Sequence, residues 1–152
     1  MSLRPWAALF AIACAQPTAG TYTFTVTSTE SDCPAGFLPS EEPTGDGTIA
    51  LGEGALVFTD EDTDVAASCP LTGMDFTCDF AETDGDTDYT KDGFAAVRSV
   101  DELMKGTFDE PSAAHGLTSL NSSCGGTGCD ELAAAGYPSC LATWYWSAVL
   151  AE

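Results

Sequence analysis

Tyr22, Phe24 and Val26 alternate with Thr21, Thr23, Thr25 and Thr27 near the start of the chain. A strict period of two predicts a strand with one buried face and one wet, threonine-rich face. The alternation returns at Met74, Phe76, Cys78 and Phe80 against Asp75, Thr77 and Asp79. Between these two stretches, Thr48–Leu51 and Ala55–Asp60 flank Gly-Glu-Gly and predict a hairpin with a short glycine loop. Further strands are expected at Phe94–Val100, Leu103–Glu110, Gly116–Asn121 and Leu141–Ala151. Ser99 to Glu102 also forms a capping box with Gly106 as a stop, so a short helix at Val100–Lys105 competes with the strands there. The alanine-rich run Asp130–Ala135, ended by Gly136 and Pro138, predicts another short helix.

About eight strands at short spacing, with turn residues between them and little helix, define an all-β domain. The expected architecture is a small antiparallel meander barrel, with a β-sandwich as the alternative. The order resembles a lipocalin-like up-and-down barrel: Gly20 leads the first strand, a meander follows, and an aromatic last strand closes on the first. This resemblance is architectural and implies no activity.

Residues 1–13 read as an export signal, with Arg4 ahead of an apolar run from Trp6 to Ala13. As a helix that run would reach about 12 Å, too short for a hydrocarbon core of about 30 Å. Ala11-Ile12-Ala13-Cys14 resembles the lipobox of bacterial lipoproteins. The resemblance implies cleavage before Cys14, lipidation of its thiol, and a tether at 14–19 leading into one β domain at 20–152. A general secretory signal cut after Ala13 or Ala15 is the plainer alternative. Ala15 following the cysteine implies, by the same resemblance, an outer-membrane lipoprotein of the cell envelope.

Seven cysteines become six once Cys14 is set aside: Cys33, Cys69, Cys78, Cys124, Cys129 and Cys140. An even set in an exported chain predicts a disulfide framework. Cys69 and Cys78 flank one turn and are the expected local pair. The trio Cys124, Cys129 and Cys140 would then send one member to Cys33.

Charge narrows the partners. The chain has 24 acids and four Lys or Arg, a formal charge of −20. Loss of Arg4 with the signal leaves only Lys91, Arg98 and Lys105. Nucleic acid is excluded as a partner, since phosphate recognition needs clustered bases. Electrostatic docking on anionic lipid is disfavoured for the same reason.

Several residue groups could carry chemistry. Asp84, Asp86, Asp88 and Asp92 have calcium-loop spacing, but Tyr89 replaces the turn glycine and Ala95 the closing glutamate. Asp60, Asp62 and Asp64 repeat the spacing with less context. The expectation is solvated loops and no cofactor, with calcium as the alternative. Cys124 and Cys129 could form half a zinc site, yet in an oxidising compartment a disulfide is favoured. His115 is the sole histidine, and no Gly-x-Ser-x-Gly elbow accompanies it. The expected role is therefore non-catalytic: a lipid-anchored envelope protein with a structural or interaction role. Trp144 and Trp146 share a strand face and could line a site for a small apolar ligand, the alternative role. Short strands favour an interior filled by side chains over a large cavity.

Overall fold

The computed structural model describes residues 16–35, 38, 44–61, 65–80 and 85–152. Cys14, Asp62, Asp64 and Asp84 lie outside the described residues. The strands are β1 (Gly20–Ser31), β2 (Thr44–Gly52), β3 (Ala55–Asp60), β4 (Ala66–Thr72), β5 (Asp75–Asp79), β6 (Gly85–Asp88), β7 (Ala96–Glu110), β8 (Ala113–Gly126) and β9 (Cys140–Leu150). A single short helix, α1 (Cys129–Ala134), precedes β9 among the described residues.

Each strand pairs antiparallel with its neighbours in a continuous order from β5 through β1 and β9 to β7 and β6. Two contacts close the ring. β1 lies against β9, with Val26 opposite Trp146. β5 lies against β7, with Phe76 opposite Gly106. The result is an eight-stranded barrel, and the sandwich alternative is thereby excluded. β6 stands outside the ring, paired only to the first part of β7.

The eight barrel strands are not the eight expected from the sequence. Phe94–Val100 and Leu103–Glu110 belong to one fifteen-residue strand, β7. The helix at Val100–Lys105 does not form, because β8 pairs with β7 throughout that stretch. Local capping is worth about 1 kcal/mol and yields to a continuous ladder. β4 went unforeseen because Pro70 sits within it, opposite Ala55. β6 has no apolar residue at all and takes its form from pairing with β7. The alanine-rich helix forms at Cys129–Ala134, close to the expected Asp130–Ala135.

Strand alternation fills the interior from both ends differently. At the end where β1 begins, Tyr22, Ile49, Leu56, Phe108, Ala114 and Ala148 are buried together, with the Cys69–Cys78 disulfide among them. The Tyr22 hydroxyl donates to the carbonyl oxygens of Thr18 (2.7 Å) and Pro111 (3.0 Å), and the Thr18 N–H also reaches Pro111 O. Residues 16–18 are thus bound to this end, which is closed. The two tight turns here, at Gly54 and Gly73, use positive φ of 69° and 66°.

At the opposite end the wall is uneven. β7 and β8 run beyond the ring, and α1 packs on both of them. Arg98 donates from Nε to Ser122 Oγ (2.9 Å), Ser122 donates to Pro138 O (3.0 Å), and the guanidinium lies over Tyr137. Cys124–Cys129 secures the turn into α1, while Cys33–Cys140 ties the end of β1 to the start of β9. All three pairs agree with the expected scheme, in which one of the late trio joins Cys33.

Candidate functional site

The mouth of the barrel, at the end opposite Tyr22, contains a cavity of about 420 Å³. Its floor is Trp146, two residues deeper on β9 than Trp144 and therefore about 7 Å below it. Trp146 is buried, lies nearly parallel to Phe76 with centroids 6.3 Å apart, and meets Phe24 edge-on at 5.2 Å. Phe24 continues to Phe58 at 5.4 Å, and Phe58 to Phe80 at 6.1 Å. These edge contacts align positive ring edges with negative faces. Val26, Met104 and Val65 complete the apolar wall, and Thr118 adds a hydroxyl.

Two glycines give the floor its room. A Cβ on Gly116 would come within 2.6 Å of Trp146 Cζ2, and one on Gly106 within 2.7 Å of Cη2. The indole thus lies flat over bare backbone of β7 and β8. Its N–H donates to Thr118 Oγ1 at 3.1 Å, which fixes the ring in plane.

The sequence placed Trp144 and Trp146 on one face, and both line the cavity. The expectation of a filled interior needs correction. The half of the barrel around Tyr22 and Phe108 is packed, whereas the half beyond Trp146 is hollow. Small residues opposite large ones explain the split. Phe58 occupies the space beside Gly47, where a Cβ would approach its Cε2 to 2.5 Å, so the glycine lets the ring settle at mid-height. The signal was present in Gly45, Gly47, Gly106 and Gly116, which punctuate otherwise regular strands.

Asp60, from the second acidic triplet, also lines the cavity, whereas the other described groups singled out by the sequence do not. His115 is exposed on the outer face of β8, its Nδ1 2.7 Å from Asp109 Oδ2. Ser147 stands opposite His115 in register, and the imidazole is taken up by Asp109. Asp86 and Asp88 are exposed on β6; Asp86 accepts from Ser99, and Asp88 accepts from the Thr90 N–H at 2.8 Å. Bonds from the Thr90 side chain and backbone hold the Asp88 carboxyl below its ordinary range. Asp92 lies in a 3₁₀ turn after β6. Asp86, Asp88 and Asp92 are not gathered into a ligand cluster among the described residues. The cluster that does occur there, Asp32 with Cys33 and Cys140, contains a disulfide, and the Asp32 carboxylate accepts the Leu141 N–H.

The threonine-rich face of β1 lies outside, as its alternation predicted. Thr23 donates to Asp46 (2.8 Å), and Thr48, on neighbouring β2, donates to Glu61 (2.6 Å). Comparison with family models, curated proteins and solved structures yields no match for this chain.

Proposed function

We propose that this protein is an exported, non-catalytic barrel that binds a small apolar ligand in its mouth and is held at a membrane by lipid on Cys14. The observation that carries the ligand reading is the cavity of about 420 Å³ walled by Phe24, Phe58, Phe80, Trp144 and Trp146. Ligand sites are typically about 300–1,000 Å³, mainly apolar, with few polar groups. Thr118 is already committed to Trp146, and the aromatic and aliphatic wall offers apolar contact and ring stacking to a guest.

Three oxidised pairs among the six later cysteines support an exported setting. The lipobox-like residues Ala11 to Cys14 support the anchor, with the outer membrane of the cell envelope as its site. Residues 16–18 bind the closed end, so a tether there leaves the mouth turned away from the attached surface. The partners are then the membrane through its anchor and a small apolar molecule. No cofactor is required by this reading.

Tryptophan fluorescence tests the ligand reading directly, because Trp144 and Trp146 line the cavity. Titration with fatty acids, retinoids, haem and alkyl alcohols should give a saturable change with at least one class. No change with any of them overturns the reading. The anchor is tested separately by the intact mass of protein extracted from membranes. An acylated chain beginning at Cys14 supports it, and an unmodified chain beginning at Ala15 or Gln16 rules it out.

A further inference from the structure

We propose that the outer wall of the barrel carries a second site, a shallow trough that binds an uncharged glycan. It lies on the opposite face of the strands from the mouth cavity and does not depend on that reading. Register sets Thr77 opposite Lys105, Lys105 opposite Leu117, and Leu117 opposite Tyr145. Two residues along these strands, Thr107 stands opposite His115 in the same way. The outward side chains therefore form two rows about 7 Å apart, running across the strands. Between the rows is a depression of about 470 Å³, with Gly106 and Gly116 in its lining. From Thr77 on β5 to Tyr145 on β9 it reaches about 14 Å at the usual strand spacing, the length of a trisaccharide.

Charge selects the class of ligand. The chain carries −20, yet β8 and β9, with 14 and 11 residues, contain no Asp, Glu, Lys or Arg. The carboxylates at the edge of the trough are engaged: Asp75 accepts from Thr107 at 2.6 Å, and Asp109 holds His115 Nδ1. Lys105 is exposed and, among the described residues, makes no ion pair. A polyanion would be opposed by the net charge of the whole molecule, and so would a second copy of the chain. A cationic partner would meet the Lys105 ammonium at the centre of the trough.

A neutral ligand rich in hydroxyls escapes all three conflicts. Its oxygens accept from Lys105 and exchange hydrogen bonds with the hydroxyls of Thr77 and Tyr145. The apolar C–H face of a sugar ring packs on Leu117 and the ring of Tyr145, both of which are half-buried.

The test is calorimetric titration of the intact protein with cellotriose, maltotriose, xylotriose and N-acetylated chitotriose, with trigalacturonate as the acidic counterpart. At least one neutral trisaccharide should bind, with a Kd of about 1 mM for so open a site. It should bind about tenfold tighter than trigalacturonate. Lys105→Met and Tyr145→Ala should each weaken binding about tenfold. Melting curves report whether each variant keeps its fold, and Lys105→Met, a change at an exposed position, carries the test if Tyr145→Ala does not. No binding of any neutral trisaccharide overturns the proposal, as does unchanged affinity in the folded Lys105→Met variant. Trigalacturonate binding as tightly as the neutral sugars overturns the charge assignment. Sedimentation showing a dimer that Lys105→Met dissociates gives the face to a second copy and also overturns it. The mouth cavity is tested separately, by tryptophan fluorescence with apolar ligands.

Discussion

Trp146 donates its indole N–H to Thr118 Oγ1 across the β8–β9 ladder, 3.1 Å away. That bond joins the cavity floor to its wall. Both partners face inward and Trp146 is buried, so losing the hydroxyl removes the indole's protein acceptor. Thr118→Val keeps the shape and removes the acceptor. A buried donor left unpaired costs about 1–3 kcal/mol. Urea unfolding should show a loss in that range, and Thr118→Ser should recover most of it.

Gly116→Ala should be more damaging than its single methyl suggests. The new Cβ meets Trp146 Cζ2 at 2.6 Å and the backbone of the facing strand, where nothing can swing aside. Overpacking of this kind costs about 1–3 kcal/mol. The indole must also tilt into the cavity, so ligand affinity should fall along with stability. A melting curve together with a ligand titration checks both effects.

Tyr22 supplies a pH dependence whose sign can be worked out. Burial pushes its phenol above the ordinary tyrosine pKa, against a smaller opposing effect from the Thr18 backbone. The folded state therefore keeps its proton when the unfolded chain begins to lose it, near the ordinary value of about 10. Between that value and the raised folded pKa, unfolding releases a proton and stability falls as pH rises. Below the ordinary value the contribution is fully present. Tyr22→Phe should flatten the alkaline slope, measured as melting temperature against pH. It should also loosen residues 16–18, seen as faster amide exchange at Thr18, whose N–H is bonded to Pro111.

The disulfides should differ in worth. Cys33 and Cys140 are 107 residues apart in sequence, Cys124 and Cys129 only 5. Loop-closure entropy assigns about 5 kcal/mol to the first and about 2 kcal/mol to the second. Paired Cys→Ser variants, compared by denaturant unfolding, should preserve that order. A larger loss from the Cys124–Cys129 pair would show that the turn into α1, not chain entropy, dominates.

Monovalent salt should raise the melting temperature smoothly, because a formal charge of −20 repels itself unless screened. Calcium at matched ionic strength should add no saturable rise. Asp86 and Asp88 are already engaged with Ser99 and Thr90. A saturable rise abolished by Asp86→Asn would instead establish a calcium site on this edge.

These outcomes bear on what could be read without coordinates. Ala55–Asp60 was legible to the residue, since its alternation begins at a glycine turn and ends in acids. The Cys69–Cys78 pairing was legible too, from two cysteines around one turn. β4 and β6 were hidden for opposite reasons. Pro70 masks a strand that tolerates it, and Gly85–Asp88 has no apolar residue to mark one. The continuity of β7 was obscured by a local helix signal that only pairing partners could override. At the site, the tryptophan pair was visible as a shared face. The hollow above it depends on glycines of β7 and β8 beneath Trp146 and one of β2 beside Phe58, and no single segment contains that information.

The direct pairing of β5 with β7 has a consequence for the rim. Because β6 is looped out of the ring, the circumference is settled by eight strands regardless of what lies between Asp79 and Ala96. That insertion can lengthen or shorten without changing the number of strands around the floor. Under the ligand binding proposed above, the floor would set how wide a guest can be, and the rim which guests are admitted. Two properties that are entangled in most pockets are here encoded in separate stretches of chain, each free to change while the other stays fixed.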